Sequence, residues 1–232
     1  MTYSLSILEH LVSLDKEITL AINGTCNGTL DQFWMLMSDK TTWIPLYVLT
    51  AIFLIWKLGL KKALTLFVLC GLTIAACDQT SELFKYSVGR LRPCYNTELL
   101  DEGLRVLEKR GSLFGFFSAH SADSFGFAVC TVTALGAYRN KSLSGAKLFL
   151  LAWAALVSIS RVFVGKHYFG DVMIGIMFGS LYGFAFGKLY ILASALLAKK
   201  KADGAFATWL HKHRGNLAAS RKQKTSIYGN GN

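Results

Sequence analysis

Five stretches of this 232-residue chain carry no charged side chain: 41–56, 63–77, 124–138, 148–160 and 172–187. Five such runs in so short a chain leave little amphipathic material to cover them in water. Each falls short of the ~20 apolar residues that cross a bilayer. Each reaches that length when the polar residues at its end are included: Asp78 and Glu82, His120 and Asp123, or Arg161; the last run continues past a single Lys188 to 198. The expected fold class is therefore all-α, a polytopic membrane helix bundle with about five transmembrane helices. The competing reading is five buried helices of a soluble all-α protein.

Ahead of the first run, Ile7, Leu8, Leu11, Leu14, Ile18 and Ala21 recur at helical spacing. Residues 4–22 are expected to form an amphipathic helix that lies on the membrane or caps the bundle. The N-terminus lacks a basic start and a continuous apolar core, so no cleavable signal peptide is expected. The expected organisation is an N-terminal helical segment (1–40), a membrane-embedded domain (41–198) and a basic tail (199–232).

Charge orients the bundle. Of the net +11, the tail 199–232 holds eight cations against Asp203, a net +7. Lys and Arg concentrate on the cytoplasmic side of membrane proteins, which places the tail in the cytoplasm. With five spans, the short basic connections 57–62 and 139–147 fall on the same side. Residues 1–42 carry Glu9, Asp15, Glu17, Asp31 and Asp39 against Lys16 and Lys40, a net −3, and fall on the other side with connections 84–116 and 161–170. No aromatic-rich nucleic-acid-binding module accompanies the basic tail, so anionic lipid is its expected partner. The five cysteines show no metal spacing. Cys70, Cys77 and Cys130 read as packing residues, while Cys26 and Cys94 fall on one membrane face, where a disulfide is an open option.

Three polar clusters fall on the non-cytoplasmic face. "KYSVGRLRP" (85–93) offers Lys85 and Arg92, seven residues apart, a two-turn spacing that would put both on one face of a helix, while Gly89 and Pro93 suggest that the helix ends nearby. "FSAHSADSFG" (117–126) opens the third span with Ser118, Ala119, His120 and Ser121, and a helix N-terminus offers free N–H groups to an anion. "SRVFVGKHYFGD" (160–171) brings Arg161, whose planar fork suits phosphate oxygens, and His167 with Asp171 four residues on, able to orient the imidazole. Each has a plainer reading: snorkelling cations, a capping serine, a polar network between helices. Together they supply three cations, two histidines, a carboxylate and a hydroxyl, which is an oxyanion site with a nucleophile and an acid. No cluster offers a metal-ligand set, and no cofactor is expected. Arg90 and Lys166 receive no role; Lys166 is left to snorkel.

These residues resemble the type-2 phosphatidic acid phosphatase superfamily, membrane lipid phosphatases related to vanadium haloperoxidases, whose motifs read K-x6-RP, PSGH and SR-x5-H-x3-D. They stand here as Lys85…Arg92-Pro93, Phe117-Ser118-Ala119-His120 and Ser160-Arg161…His167…Asp171, and the likeness covers roughly 40–195. In the second motif Phe117 replaces proline and Ala119 replaces glycine. That puts a methyl beside the anion and removes glycine's freedom at positive φ. The resemblance implies metal-independent hydrolysis of a lipid phosphate through a phosphohistidine. His167 is the nucleophile, Asp171 its orienting partner and His120 the acid and base. Lys85, Arg92, Ser118, Ala119 (through its N–H) and Arg161 bind phosphate. Undecaprenyl diphosphate, lipid A phosphate and phosphatidylglycerol phosphate are the candidate substrates, met at the outer face of a bacterial cytoplasmic membrane. The alternatives are a lipid phosphotransferase of the same fold and a non-catalytic lipid-binding protein. Arg105, Lys109 and Arg110 in the 84–116 connection are either contacts to a second phosphate or a solvated charged face. Sequence leaves the oligomeric state open.

Overall fold

A computed structural model describes residues 2–25, 28–138 and 143–228, with side chains for most of them. The described residues are helical, with no strands among them: α1 (Thr2–Gly24), α2 (Gly28–Ser38), α3 (Ile44–Leu58), α4 (Leu60–Val88), α5 (Thr97–Asp101), α6 (Ala119–Gly136), α7 (Ser144–Phe163) and α8 (Phe169–Tyr228). The described residues up to Tyr190 pack as one compact unit. From Ile191 the rest of α8 belongs to a second unit, where Lys199, Lys200 and Lys201 are exposed.

Among the described residues, four helical stretches are long and apolar enough to cross a membrane: Thr41–Leu58, Leu60–Val88, Ser144–Phe163 and Phe169–Leu210. The remaining apolar run lies in α6, which packs against both α4 and α7 and buries Ser121, Ala122, Ser124, Gly126, Phe127, Ala128, Cys130, Thr131, Ala134 and Leu135. The outward surface is apolar instead of polar: Ile52, Trp56, Val68, Leu72, Leu148, Met177, Leu181 and Phe184 are all exposed. In water this would be an aggregation surface; against acyl chains it is the ordinary exterior.

Helix ends place the polar clusters. α4 stops at Gly89, whose left-handed φ of 63° lets its N–H reach Lys85 O at 3.0 Å. Lys85 is thereby held in the last turn, and the chain leaves as a loop carrying Arg90 and Arg92. α6 starts at the N-cap Ser118, whose Oγ accepts from Ser121 N at 3.4 Å. α8 runs against α6 through glycines repeating every fourth residue, Gly175, Gly179, Gly183 and Gly187. A Cβ added at Gly175 would sit 2.5 Å from Ser118 O, and one at Gly183 2.6 Å from Gly126 O. Only glycine permits this approach, and small residues of this kind replace the hydrophobic effect as the basis of close packing inside a bilayer.

The N-terminal helices are integrated into the first unit, and both contact α7. Asn23 in α1 donates to Val162 O and Phe163 O at 3.2 and 2.8 Å and accepts from Arg105 N at 2.8 Å. Ile7, Leu8 and Leu11 on α1 stay exposed, as an interfacial helix requires. Cys70, Cys77, Cys94 and Cys130 are buried free thiols, and the Cys26–Cys94 pairing lies outside the described residues.

Candidate active site

The stretch between α7 and α8 folds over itself: the N–H groups of Lys166 and His167 both bond Arg161 O, at 3.0 and 3.2 Å. This turn buries His167 at the base of α8, one turn before Asp171. The Asp171 carboxylate is fully buried. Its Oδ2 accepts from Tyr168 N at 3.1 Å and lies 3.6 Å from His167 Nδ1. On the far side of the ring, Arg92 Nη1 is 3.3 Å from Nε2. A guanidinium has no lone pair to offer, so that contact requires Nε2 to be the acceptor. The proton then sits on Nδ1, facing Asp171. Burial, and then the charges of Arg92, Arg161 and Lys85, push this imidazole well below the usual histidine range. His167 is thus a neutral imidazole whose Nε2 lone pair accepts from Arg92, while Nδ1 has no hydrogen-bond partner.

The cations come from the ends of two helices, Lys85 and Arg92 from the end of α4 and the loop after it, Arg161 from the end of α7. Arg92 is fixed by Nε to Phe114 O at 3.2 Å and by Nη2 to Ser112 Oγ at 2.8 Å. Burial lowers its pKa from the usual arginine value. Arg161, buried at the end of α7, donates to the Ser38 hydroxyl and approaches Glu108 at 3.5 Å, while its Nε has no partner. An orphaned guanidinium N–H in a buried site is costly unless an anion completes it. Lys85 is buried and paired to Glu82 at 2.5 Å.

A polar cavity of about 610 Å³ is lined by Arg92, Arg161, Lys166, Ser112, Glu108 and His120, with Ser38, Lys40 and Lys109 among its other walls. An apolar cavity of about 390 Å³ adjoins it and shares Ser38, Lys40 and His120. Its other walls come from α3, α4, α6 and α7, among them Tyr47, Phe67, Ile74, Phe127 and Trp153. His120, in the first turn of α6, therefore stands where the polar and apolar spaces meet.

Of the expected residues, Arg92, Arg161 and His120 line the polar cavity and His167 lies against Arg92 with Asp171 behind it, whereas Lys85 is paired to Glu82 and is not among the cavity walls. Ser118 is fully buried, and its Oγ also accepts from Ser121 Oγ at 3.0 Å, which fills its acceptor sites and leaves the O–H hydrogen to donate. Ala119 opens α6, and no described non-glycine residue has positive φ, so glycine's freedom is not needed there. Phe117 replaces proline by packing: it is buried and stacks on Phe178 at 4.8 Å. Lys166 does not snorkel. It is buried, donates to the carbonyls of Lys109 and Arg110, and pins the 102–118 connection over the site. Arg105 pairs with Asp31, and Arg110 lies over the Tyr95 ring at 5.6 Å, which leaves Lys109 as the one of those three on the polar cavity.

Sequence reasoning missed Arg90. Its Nη1 bonds Asp171 Oδ1 at 2.8 Å and its Nη2 bonds Asp15 Oδ2 at 2.7 Å. Its position inside the first cluster was the available signal; Asp15, in a helix expected to lie on the membrane or cap the bundle, offered none.

Comparison with known proteins gives the family. Residues 62–193 match the PAP2 superfamily. A lipid A 4'-phosphatase of Bacteroides thetaiotaomicron is 32% identical over 199 residues, covering 85% of this chain and 84% of that protein. A lipid A 4'-phosphatase of Porphyromonas gingivalis is 30% identical over 187 residues, covering 80% and 77%. Among solved structures, a transmembrane PAP2-type phosphatidylglycerolphosphate phosphatase from Bacillus subtilis aligns with a TM-score of 0.60 at 21% identity, covering 78% of this chain and 86% of the other. Aquifex aeolicus LpxE aligns with a TM-score of 0.54 at 22% identity, covering 74% and 93%, so both share the fold. With the family match and the two relatives spanning most of its length, this chain belongs to the PAP2 superfamily, as an integral membrane lipid phosphatase.

Proposed function

We propose that the protein removes a phosphate monoester from lipid A through a phosphohistidine on His167. The observation that carries the chemistry is the His167 ring itself, with Arg92 on Nε2 and the Asp171 carboxylate 3.6 Å from Nδ1, beside a cavity lined by cations. Phosphate oxygens draw the Arg92 fork onto themselves and uncover the Nε2 lone pair. Nε2 attacks phosphorus as the bond to the lipid oxygen breaks, and His120, protonated once the phosphate's negative charge offsets the surrounding cations, gives its proton to that oxygen. Neutral His120 then takes a proton from water, the water oxygen attacks phosphorus, and the P–N bond breaks to release phosphate. Covalent catalysis splits one displacement into two easier ones. Arg92, Arg161 and Lys85 stabilise the charge spread over the equatorial oxygens, which is the larger part of phosphoryl-transfer catalysis. His120, standing between the polar and apolar cavities, suits a proton donor to an oxygen that joins phosphate to lipid.

Lipid A is favoured by the two relatives, each named as a lipid A 4'-phosphatase and matched over at least 80% of this chain. The adjoining apolar cavity fits an acyl chain, and the polar one leaves room beside the phosphate for a sugar ring. The charge distribution supports an active site on the outer face of the cytoplasmic membrane and a cytoplasmic tail. The test is purified protein in detergent with lipid A, undecaprenyl diphosphate and phosphatidylglycerol phosphate offered separately. Phosphate release from lipid A, with the loss of one 4'-phosphate by mass and no acceptor lipid present, is the expected result. Faster turnover of either other lipid overturns the substrate assignment.

A further inference from the structure

Asp171 is a buried carboxylate, and a buried carboxylate stays charged only when its lone pairs are filled by donors. Oδ2 has Tyr168 N–H and faces the imidazole; Oδ1 has Arg90 Nη1 at 2.8 Å. Arg90 is held in turn. Its other arm reaches Asp15 Oδ2 at 2.7 Å, its guanidinium lies 3.8 Å over the Tyr168 ring, and the Tyr168 hydroxyl accepts from Asn96 Nδ2 at 3.1 Å. Asp15 belongs to α1, and its Oδ1 accepts from Gly170 N at 2.7 Å. Thr19, one turn on, accepts from Phe169 N at 3.0 Å. Thus α1 caps the N-terminus of α8 with its side chains, and Asp15 serves both that cap and Arg90. A Cβ at Gly170 would sit 2.8 Å from the Asp15 carboxylate, so a side chain there would displace the end of Asp15.

We propose that Asp15 and Arg90 form a positioning relay that aims Asp171, and through it His167, so that the N-terminal helix is part of the catalytic machinery. The inference rests on His167 and Asp171 acting as proposed above. Neither Asp15 nor Arg90 touches phosphate. Two carboxylates around one guanidinium leave a single net negative charge beside Nδ1. That charge matches the positive imidazolium that forms when Nε2 bonds phosphorus. Asp15 also occupies the second arm of Arg90, which keeps the first arm on Asp171 and away from the phosphate cavity.

The test is steady-state kinetics of full-length variants in detergent. Asp15→Asn keeps the acceptor for Gly170 N–H but removes the charge. It is expected to lower kcat about tenfold, and Arg90→Gln about 10–100-fold, the range for residues that orient a reacting group from behind. KM should move less than about threefold. Arg90→Lys, which cannot hold both carboxylates in a planar fork, should recover part of the loss. The double variant should be no worse than Arg90→Gln alone, since a broken relay cannot be broken twice. Lys16→Met removes another contact of α1, the ion pair with Glu98, and should leave kcat unchanged. The relay is overturned if Asp15→Asn keeps wild-type kcat, if the losses fall on KM, or if they multiply in the double variant. Should Arg90→Gln fail to purify as a monodisperse protein, the near-isosteric Asp15→Asn decides alone. His167→Ala is measured alongside. If it still turns over, the phosphohistidine scheme fails on its own account; if it is dead while Asp15→Asn is fully active, only the relay fails.

Discussion

Replacing Gly175 with alanine should damage catalysis without touching a reactive group. Gly175 lies one turn beyond Asp171 in α8, and the backbone facing it is Ser118, the cap of the helix that carries His120. The added Cβ would be 2.5 Å from Ser118 O and 3.0 Å from Ser121 Cβ, against the 3.4 Å at which ordinary contact begins. The obstacle at Ser118 is backbone, so α6 and α8 must part by about 0.9 Å, the difference between those distances. Overpacking of this size costs about 1–3 kcal/mol. The larger effect is on geometry: parting these helices moves His120 away from His167, and a misplacement near 1 Å costs on the order of 10²-fold in rate. Gly136→Ala is the matched control, because nothing lies within 4 Å of its Cβ. The assay is kcat on a lipid phosphate, together with the temperature at which detergent-solubilised protein loses its monodisperse peak. Gly175→Ala should lower both, and Gly136→Ala neither. Wild-type turnover in Gly175→Ala would refute the claim that the α6–α8 spacing sets the distance between the two histidines.

His120→Ala should slow hydrolysis of a lipid phosphate by about 10²–10⁴-fold, the usual worth of a placed acid. It should slow cleavage of p-nitrophenyl phosphate far less, because that leaving group needs no proton; equal losses on both substrates would contradict the role. The displaced pKa of His167 fixes the sign of the pH response. The imidazole stays neutral through the ordinary histidine range and is lost as a nucleophile only when protonated at lower pH. After allowance for the substrate's own ionisation near pH ~6, the acid limb of kcat/KM should lie below ~6.5, and a limb above 7 would contradict it. Glu108 competes with phosphate for Arg161 at 3.5 Å. Glu108→Gln should therefore lower KM by about two- to fivefold, in keeping with the modest worth of a partly exposed pair; a higher KM would show that Glu108 assists binding.

The bundle is legible in the sequence because lipid-facing helices stay apolar on their outer surfaces, as Val68, Leu72 and Met177 do. The site is legible because each cluster is anchored at a helix end, where a short linear spacing fixes a direction: Lys85 before the Gly89 stop, His120 after the Ser118 cap, Asp171 in the first turn of α8. What the clusters bind beyond themselves is not local and was not legible. Asp15 meets Arg90 across 75 residues and Arg161 meets Ser38 across 123. Lys166 shows the limit most plainly: its role is set by two backbone carbonyls, which no residue pattern announces. The alanine in the second motif gives up glycine's freedom at positive φ, yet Ala119 opens an ordinary helix and does not use it.

The central claim is that phosphate passes through the His167 imidazole. It is tested most directly by mixing purified protein with a lipid phosphate labelled with ³²P, quenching within the first turnovers in alkaline detergent, and locating the label by peptide mapping. The account predicts a label that survives alkali, is lost in acid, maps to His167, and is absent from His167→Ala. Turnover by wild type with no labelled protein, or with the label on another residue, would contradict it.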